Sequence, residues 1–168
     1  SQDAVSASPL GGNFTGDYRL KFDMWINYNG PMPDGGTGST QNFDAGVGTS
    51  GEGVVWLYSY QPPADGVWFS ATGDGADGNA GGDYNAVIGD VIQNDDTGFY
   101  AAGTGTPDSG VRNGSHSFCS LWGGQAAPAA QLGLYPNQTG VANIGNAGMA
   151  WHTVVITKAG DVVTWAID

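Results

Sequence analysis

Residues Trp151–Asp168 read WHTVVITKAGDVVTWAID, and the fold class follows from them. Two runs rich in Val, Ile, Thr and Trp flank a tight Ala159-Gly160-Asp161 turn. Such residues suit a pleated, half-buried surface. In the first run Val154 and Ile156 share one face while Thr153 and Thr157 take the other, the period-two pattern of a strand. The segment is a β-hairpin. A two-stranded ribbon is marginal alone and has to dock on a larger sheet, so this hairpin announces an all-β domain.

The same alternation returns near the other end. In Asp17–Tyr28, Tyr18, Leu20, Phe22, Met24, Ile26 and Tyr28 fall on one face and Asp17, Arg19, Lys21, Asp23 and Asn27 on the other. This predicts a long strand with Tyr18, Leu20, Phe22, Met24 and Ile26 inside and Arg19 and Lys21 exposed. Trp25 interrupts the polar face as a solitary aromatic and marks a place of contact. Further strands are expected over 43–47, 54–60, 67–72, 84–92 and 98–102, and a short helix from Pro128 through Leu132. Their close spacing predicts a two-layer antiparallel sandwich.

Composition agrees. The 168 residues hold 30 Gly and 8 Pro, but also 6 Trp, 7 Tyr and 6 Phe, far too many aromatics for a solvated coil. The glycines instead make long loops, such as 30–42 and 73–83. Residues 1–13 form a lead-in and 14–168 one sandwich domain, expected to lack its last strand or strands because the hairpin stops at Asp168.

Sixteen acidic residues against four basic ones give a formal charge of −12. That balance disfavours nucleic acid and anionic membranes as partners, and no apolar run is long enough for a transmembrane helix. Cys119 is alone, which excludes an internal disulfide and reads as a small buried hydrophobe.

Catalytic signatures are weak. G-x-G-x-x-G occurs at 46–51 and 73–78, but neither match lies between a strand and a helix as dinucleotide binding requires, so no organic cofactor is expected. His116 and His152 stand in separate segments, and Glu52, the one glutamate, has no strand-borne carboxylate partner. Enzymatic activity is therefore the weaker expectation, with no catalytic residue assigned.

Two groups could bind. Asp74, Asp77, Asn79 and Asp83 place four short oxygen donors in a glycine-softened loop, which suits a hard cation such as Ca²⁺; turn chemistry alone also favours such residues. Trp56, Tyr58 and Tyr60 share one strand face and, with Trp25, could stack on sugar rings; filling the core is their other role. Asn13, Asn113 and Asn137 begin formal N-glycosylation sequons.

Several blocks together resemble secreted bacterial domains of the concanavalin A-like lectin/glucanase (laminin G-like) superfamily. They are FTGDYRLKFDMWINYNGPMPDGGTGSTQ at 14–41, GVGTSG at 46–51, GGQAAPAAQLGLYPNQTG at 123–140 and the closing WHTVVITKAGDVVTWAID. The resemblance implies a jelly roll of two curved antiparallel sheets, often with a sugar-binding face and sometimes with a structural Ca²⁺. It carries no catalytic residues onto this chain. The expectation is a non-catalytic, secreted carbohydrate-binding or adhesion module acting on a polysaccharide or glycan surface. The alternatives are a structural subunit of an extracellular assembly, joined to other chains through sheet edges, and a polysaccharide-cleaving enzyme.

Overall fold

The computed structural model describes residues 7–9, 11–27, 42–48, 66–72, 84–89, 91–92, 124–142 and 147–168. Among them are seven strands and one helix: β1 (Tyr18–Trp25), β2 (Asn42–Val47), β3 (Val67–Thr72), β4 (Tyr84–Ile88), β5 (Val91–Ile92), α1 (Ala129–Leu134), β6 (Trp151–Ala159) and β7 (Val162–Ile167). The strands form two antiparallel sheets, ordered β1-β6-β7 and β2-β3-β4-β5. The described residues are mostly β, in keeping with the alternation.

The closing hairpin forms as read. Val154 opposes Ile167 and Ala159 opposes Val162, leaving Gly160 and Asp161 as a two-residue turn. Gly160 has φ of 56° and Asp161 stays in the ordinary negative region, which is the pattern of a type II′ turn and its matching strand twist. Asp17 Oδ1 accepts the Gly160 amide at 2.8 Å, and Lys158 Nζ donates to the carbonyls of Gly16 and Gly160. These bonds tie the approach to β1 onto the turn.

β1 lies along β6 from Tyr18↔Lys158 to Trp25↔Trp151. Residues directly opposed across a ladder share a face. One face of this sheet therefore carries Tyr18, Leu20, Phe22 and Met24, then Ile156 and Val154, then Val163, Trp165 and Ile167. It meets the second sheet in a common apolar core that includes Met24, Ile26, Val154 and Ile156 from one side and Val47, Phe69, Ala71 and Ala86 from the other. Phe22 packs on Phe43 with ring centroids 5.3 Å apart, and Phe69 stacks on Trp165 at 5.1 Å. Complete burial of such a side chain contributes about 1.5–3 kcal/mol, which applies to Phe69, while Phe22, Phe43 and Trp165 are half-buried and contribute less.

Three expectations need correction. Leu20 is 36% exposed rather than inside. It sits on β1, which has no described strand beyond it, while its cross-strand partner Ile156 on the central strand is fully buried. The stretch 84–92 is a hairpin rather than one strand, because the chain turns at Gly89 and pairs Ile88 with Val91. The long first strand ends at Trp25, with Ile26 joined to Gly148 by an isolated parallel bridge. The strands expected at 54–60 and 98–102 lie outside the described residues. The expected helix is present, starting one residue after Pro128 and continuing to Leu134.

The second sheet is covered on both faces at its centre. Trp68, Ser70 and Val87 point away from the shared core and are buried all the same, with Trp68 Nε1 donating to the Gly89 carbonyl at 3.1 Å. The first sheet is different: the face away from the core is open along most of its length.

Candidate functional site

The open face follows from the β1–β6 register. Along β1 it presents Arg19, Lys21, Asp23 and Trp25; opposite them stand Thr157, Val155, Thr153 and Trp151. β7 adds Val162, Thr164 and Ala166. Arg19, Lys21 and Asp23 are exposed and the central threonines and valine half-buried. Four alternate residues of β1 make this a lane of roughly 20 Å from Arg19 to Trp25.

One end of the lane is aromatic. Trp25 and Trp151 are direct cross-strand partners, their ring centroids 5.6 Å apart and their planes inclined by 55°. Trp25 is half-buried beneath a small second cluster of Ala127, Ala142 and Met149, with Leu132 of α1 beside it. Trp151 is 70% exposed. The single outward Trp read from the sequence is thus half of a pair, and the accessible member is the other half. The signal for Trp151 was present: by parity it shares the Thr153 face, just as Trp25 shares the Asp23 face.

The segment that covers Trp25 is pinned by side-chain amides. Asn27 Nδ2 donates to Gln138 Oε1 at 2.9 Å, and Gln131 Nε2 donates to Asn27 Oδ1 at 2.7 Å. Gln138 is almost wholly buried, at 1% exposure. The entry into β6 is held by the Met149 amide, which donates to the Ile26 carbonyl at 2.9 Å. Met149 has φ of 61° and is buried against the second cluster, a backbone position that costs about 1–3 kcal/mol and is maintained by surrounding packing. Replacing Asn27 with alanine removes one partner from each glutamine and is expected to cost about 1–3 kcal/mol, read from urea unfolding midpoints.

At the β6–β7 end, the Thr153 amide donates to Asp168 Oδ1 at 2.7 Å and the Asp168 amide to the Thr153 carbonyl at 3.2 Å. His152 Nδ1 lies 2.7 Å from the Asp168 carbonyl oxygen and 3.8 Å from its carboxylate. His152 is thereby engaged in holding the strand end.

Trp56, Tyr58, Tyr60, Asp74, Asp77, Asn79 and Asp83 lie outside the described residues, as do Cys119, His116 and Glu52. Among the described residues, no three His, Cys, Asp or Glu side chains come together as a metal-binding group, and no helix is long and apolar enough to cross a membrane. Comparison with protein-family models, with curated proteins and with solved structures finds no match.

Proposed function

We propose that the chain is a non-catalytic, extracellular carbohydrate-binding or adhesion module, built as a jelly-roll sandwich of the concanavalin A-like kind. The observation that carries this reading is Trp151, which stands 70% exposed beside Trp25 on the open face of the first sheet. The tilted Trp25–Trp151 pair presents an indole on an open sheet face, and indole faces stack well on the C–H surfaces of sugar rings. Thr153, whose hydroxyl donates to Asp23, lies next to the pair, and Thr157 and Thr164 carry further hydroxyls at the far end of the same face. The superfamily resemblance adds weight to both the fold and the ligand class.

Affinity electrophoresis through gels holding soluble glucans, mannans, galactans, polyuronates or aminoglucans tests the reading. Retention is expected in at least one polymer. Trp151→Ala is expected to weaken that retention roughly tenfold, the equivalent of about 1.4 kcal/mol, with its thermal midpoint close to wild type because the ring is exposed. Mobility unaffected by every polymer would overturn the proposal.

A second reading, a structural subunit joined through sheet edges, rests on β7. Beyond β6 on one side, β7 has no strand on its other side among the described residues, and a bare edge is a template for strand addition. Sedimentation across a hundredfold dilution distinguishes it: a module that stays monomeric at every concentration excludes self-assembly.

A further inference from the structure

We infer that the tryptophan end of the open face takes an amino-sugar polymer, with Asp23 and Asp168 pairing with its ammonium groups while Trp151, backed by Trp25, stacks on a sugar ring. This assignment rests on the carbohydrate-binding reading above and names its ligand class.

One threonine builds the site. The Thr153 hydroxyl donates to Asp23 Oδ1 at 3.2 Å, and the Thr153 amide donates to Asp168 Oδ1 at 2.7 Å. Asp23 stands directly opposite Thr153 on β1; Asp168 follows β7 on the other side, its amide bonded to the Thr153 carbonyl. Both carboxylates are thus fixed to β6 beside Trp151, which lies two residues before Thr153 on the same face. Both residues are exposed. Among the described residues neither pairs with a lysine or arginine, and the second oxygen of each accepts no hydrogen bond. His152 Nδ1 is 3.8 Å from Asp168 Oδ1 and closer to the Asp168 carbonyl oxygen, at 2.7 Å.

Distance decides which charges a ligand on the tryptophan pair meets. Asp23 lies two residues from Trp25 along β1, about 7 Å, whereas Lys21 and Arg19 lie about 13 and 20 Å away. At physiological ionic strength charges farther than about 8 Å are largely screened. Asp17, farther still, accepts the Gly160 amide. Around the pair the local sign is therefore negative. The chain as a whole carries −12, which favours the approach of a polycation and opposes that of a polyanion.

Two features of the site narrow its occupant. The carboxylates call for a cation that donates hydrogen bonds, and such charge-assisted bonds are about twice as strong as neutral ones. The indole stacks on flat bodies with apolar C–H faces, and Trp is also the best aromatic partner of a cation. An amino sugar offers both on one ring, and a polymer repeats them. A bare metal ion matches only the carboxylates, and a neutral sugar leaves their charge unanswered.

The test titrates the protein with glucosamine oligomers and with the same oligomers N-acetylated, which keep the backbone and lose the charge. At about pH 6, where amines are protonated, wild type is expected to bind the amine form at least tenfold more tightly in about 0.15 M salt. Most of that preference is expected to disappear in about 1 M salt. Asp23→Asn/Asp168→Asn is expected to bind both forms alike, with an unchanged thermal midpoint because an amide oxygen still accepts from Thr153. That variant keeps a net charge of −10, two charges fewer than the −12 of wild type, so its loss of preference separates this site from diffuse attraction. Trp151→Ala is expected to weaken both forms. Equal binding of the two forms by wild type, binding of other polymers alone, or a preference that survives in the double variant would each overturn the amino-sugar assignment while leaving a carbohydrate module standing. Failure to bind any polymer, charged or neutral, would overturn the module reading itself.

Discussion

Replacing Ile156 with alanine is expected to lower the unfolding free energy by about 2–5 kcal/mol, read from urea or guanidinium midpoints. Ile156 is fully buried on the central strand β6, with Leu20 across one ladder and Trp165 across the other. Its side chain belongs to the core shared by the two sheets, so truncation loses transfer free energy and leaves a cavity with packed walls. Leu20→Ala is the internal control. It removes a side chain of the same size from the same face, but from an edge strand where it is 36% exposed. No enclosed cavity forms there, and the cost is expected near 1 kcal/mol, below the 1.5–3 kcal/mol assigned to complete burial. Equal losses from the two variants would mean that β6 is not the central strand. For a domain with a total stability of about 5–15 kcal/mol, the larger loss is enough to threaten folding at body temperature.

Gly66→Ala is expected to cost as much through a different mechanism. Gly66 precedes β3 at φ of 78°, where it faces the end of β2. A Cβ there would stand 2.5 Å from the Val47 carbonyl oxygen and 2.7 Å from the Gly48 carbonyl carbon. Both are backbone atoms, so relief means separating the β2–β3 ladder or dislodging the Gly89 amide, which donates to the Gly66 carbonyl at 2.8 Å. The left-handed backbone costs an L-residue about 1–2 kcal/mol, and overpacking adds about 1–3 kcal/mol. Gly160→Ala isolates the first of these contributions. Gly160 also has positive φ, but nothing lies within 4 Å of its would-be Cβ, so its replacement is expected to cost about 1–2 kcal/mol alone. Equal unfolding midpoints for the two variants would show that the close approach at Gly66 carries no energy.

The site was legible only in part. The polar-face position of Trp25 could be read from Tyr18–Tyr28, because alternation assigns every residue of a strand to one of two faces. That Trp25 is half-buried could not, since the cover over it comes from residues far along the chain, held by the Asn27–Gln138 and Gln131–Asn27 bonds. Trp151 was visible as a strand residue, yet its role as the accessible aromatic depends on standing opposite Trp25. Asp23 likewise looks like an ordinary solvated strand residue until Thr153 sets it, with Asp168, beside that pair.

By itself, the sequence determined the all-β class, the closing hairpin with its Gly160 turn, and the face to which each residue of β1 and β6 belongs. These are local properties: β-propensity, turn chemistry and a side-chain period of two act over a few residues and need no knowledge of neighbours. Only the tertiary structure decided that β6 lies between β1 and β7, so that Ile156 is buried and Leu20 is not, and that one tryptophan is covered while its partner meets solvent. Those outcomes depend on which strands pair across long loops and what packs on each face, and period-two alternation is the same for a central strand as for an edge.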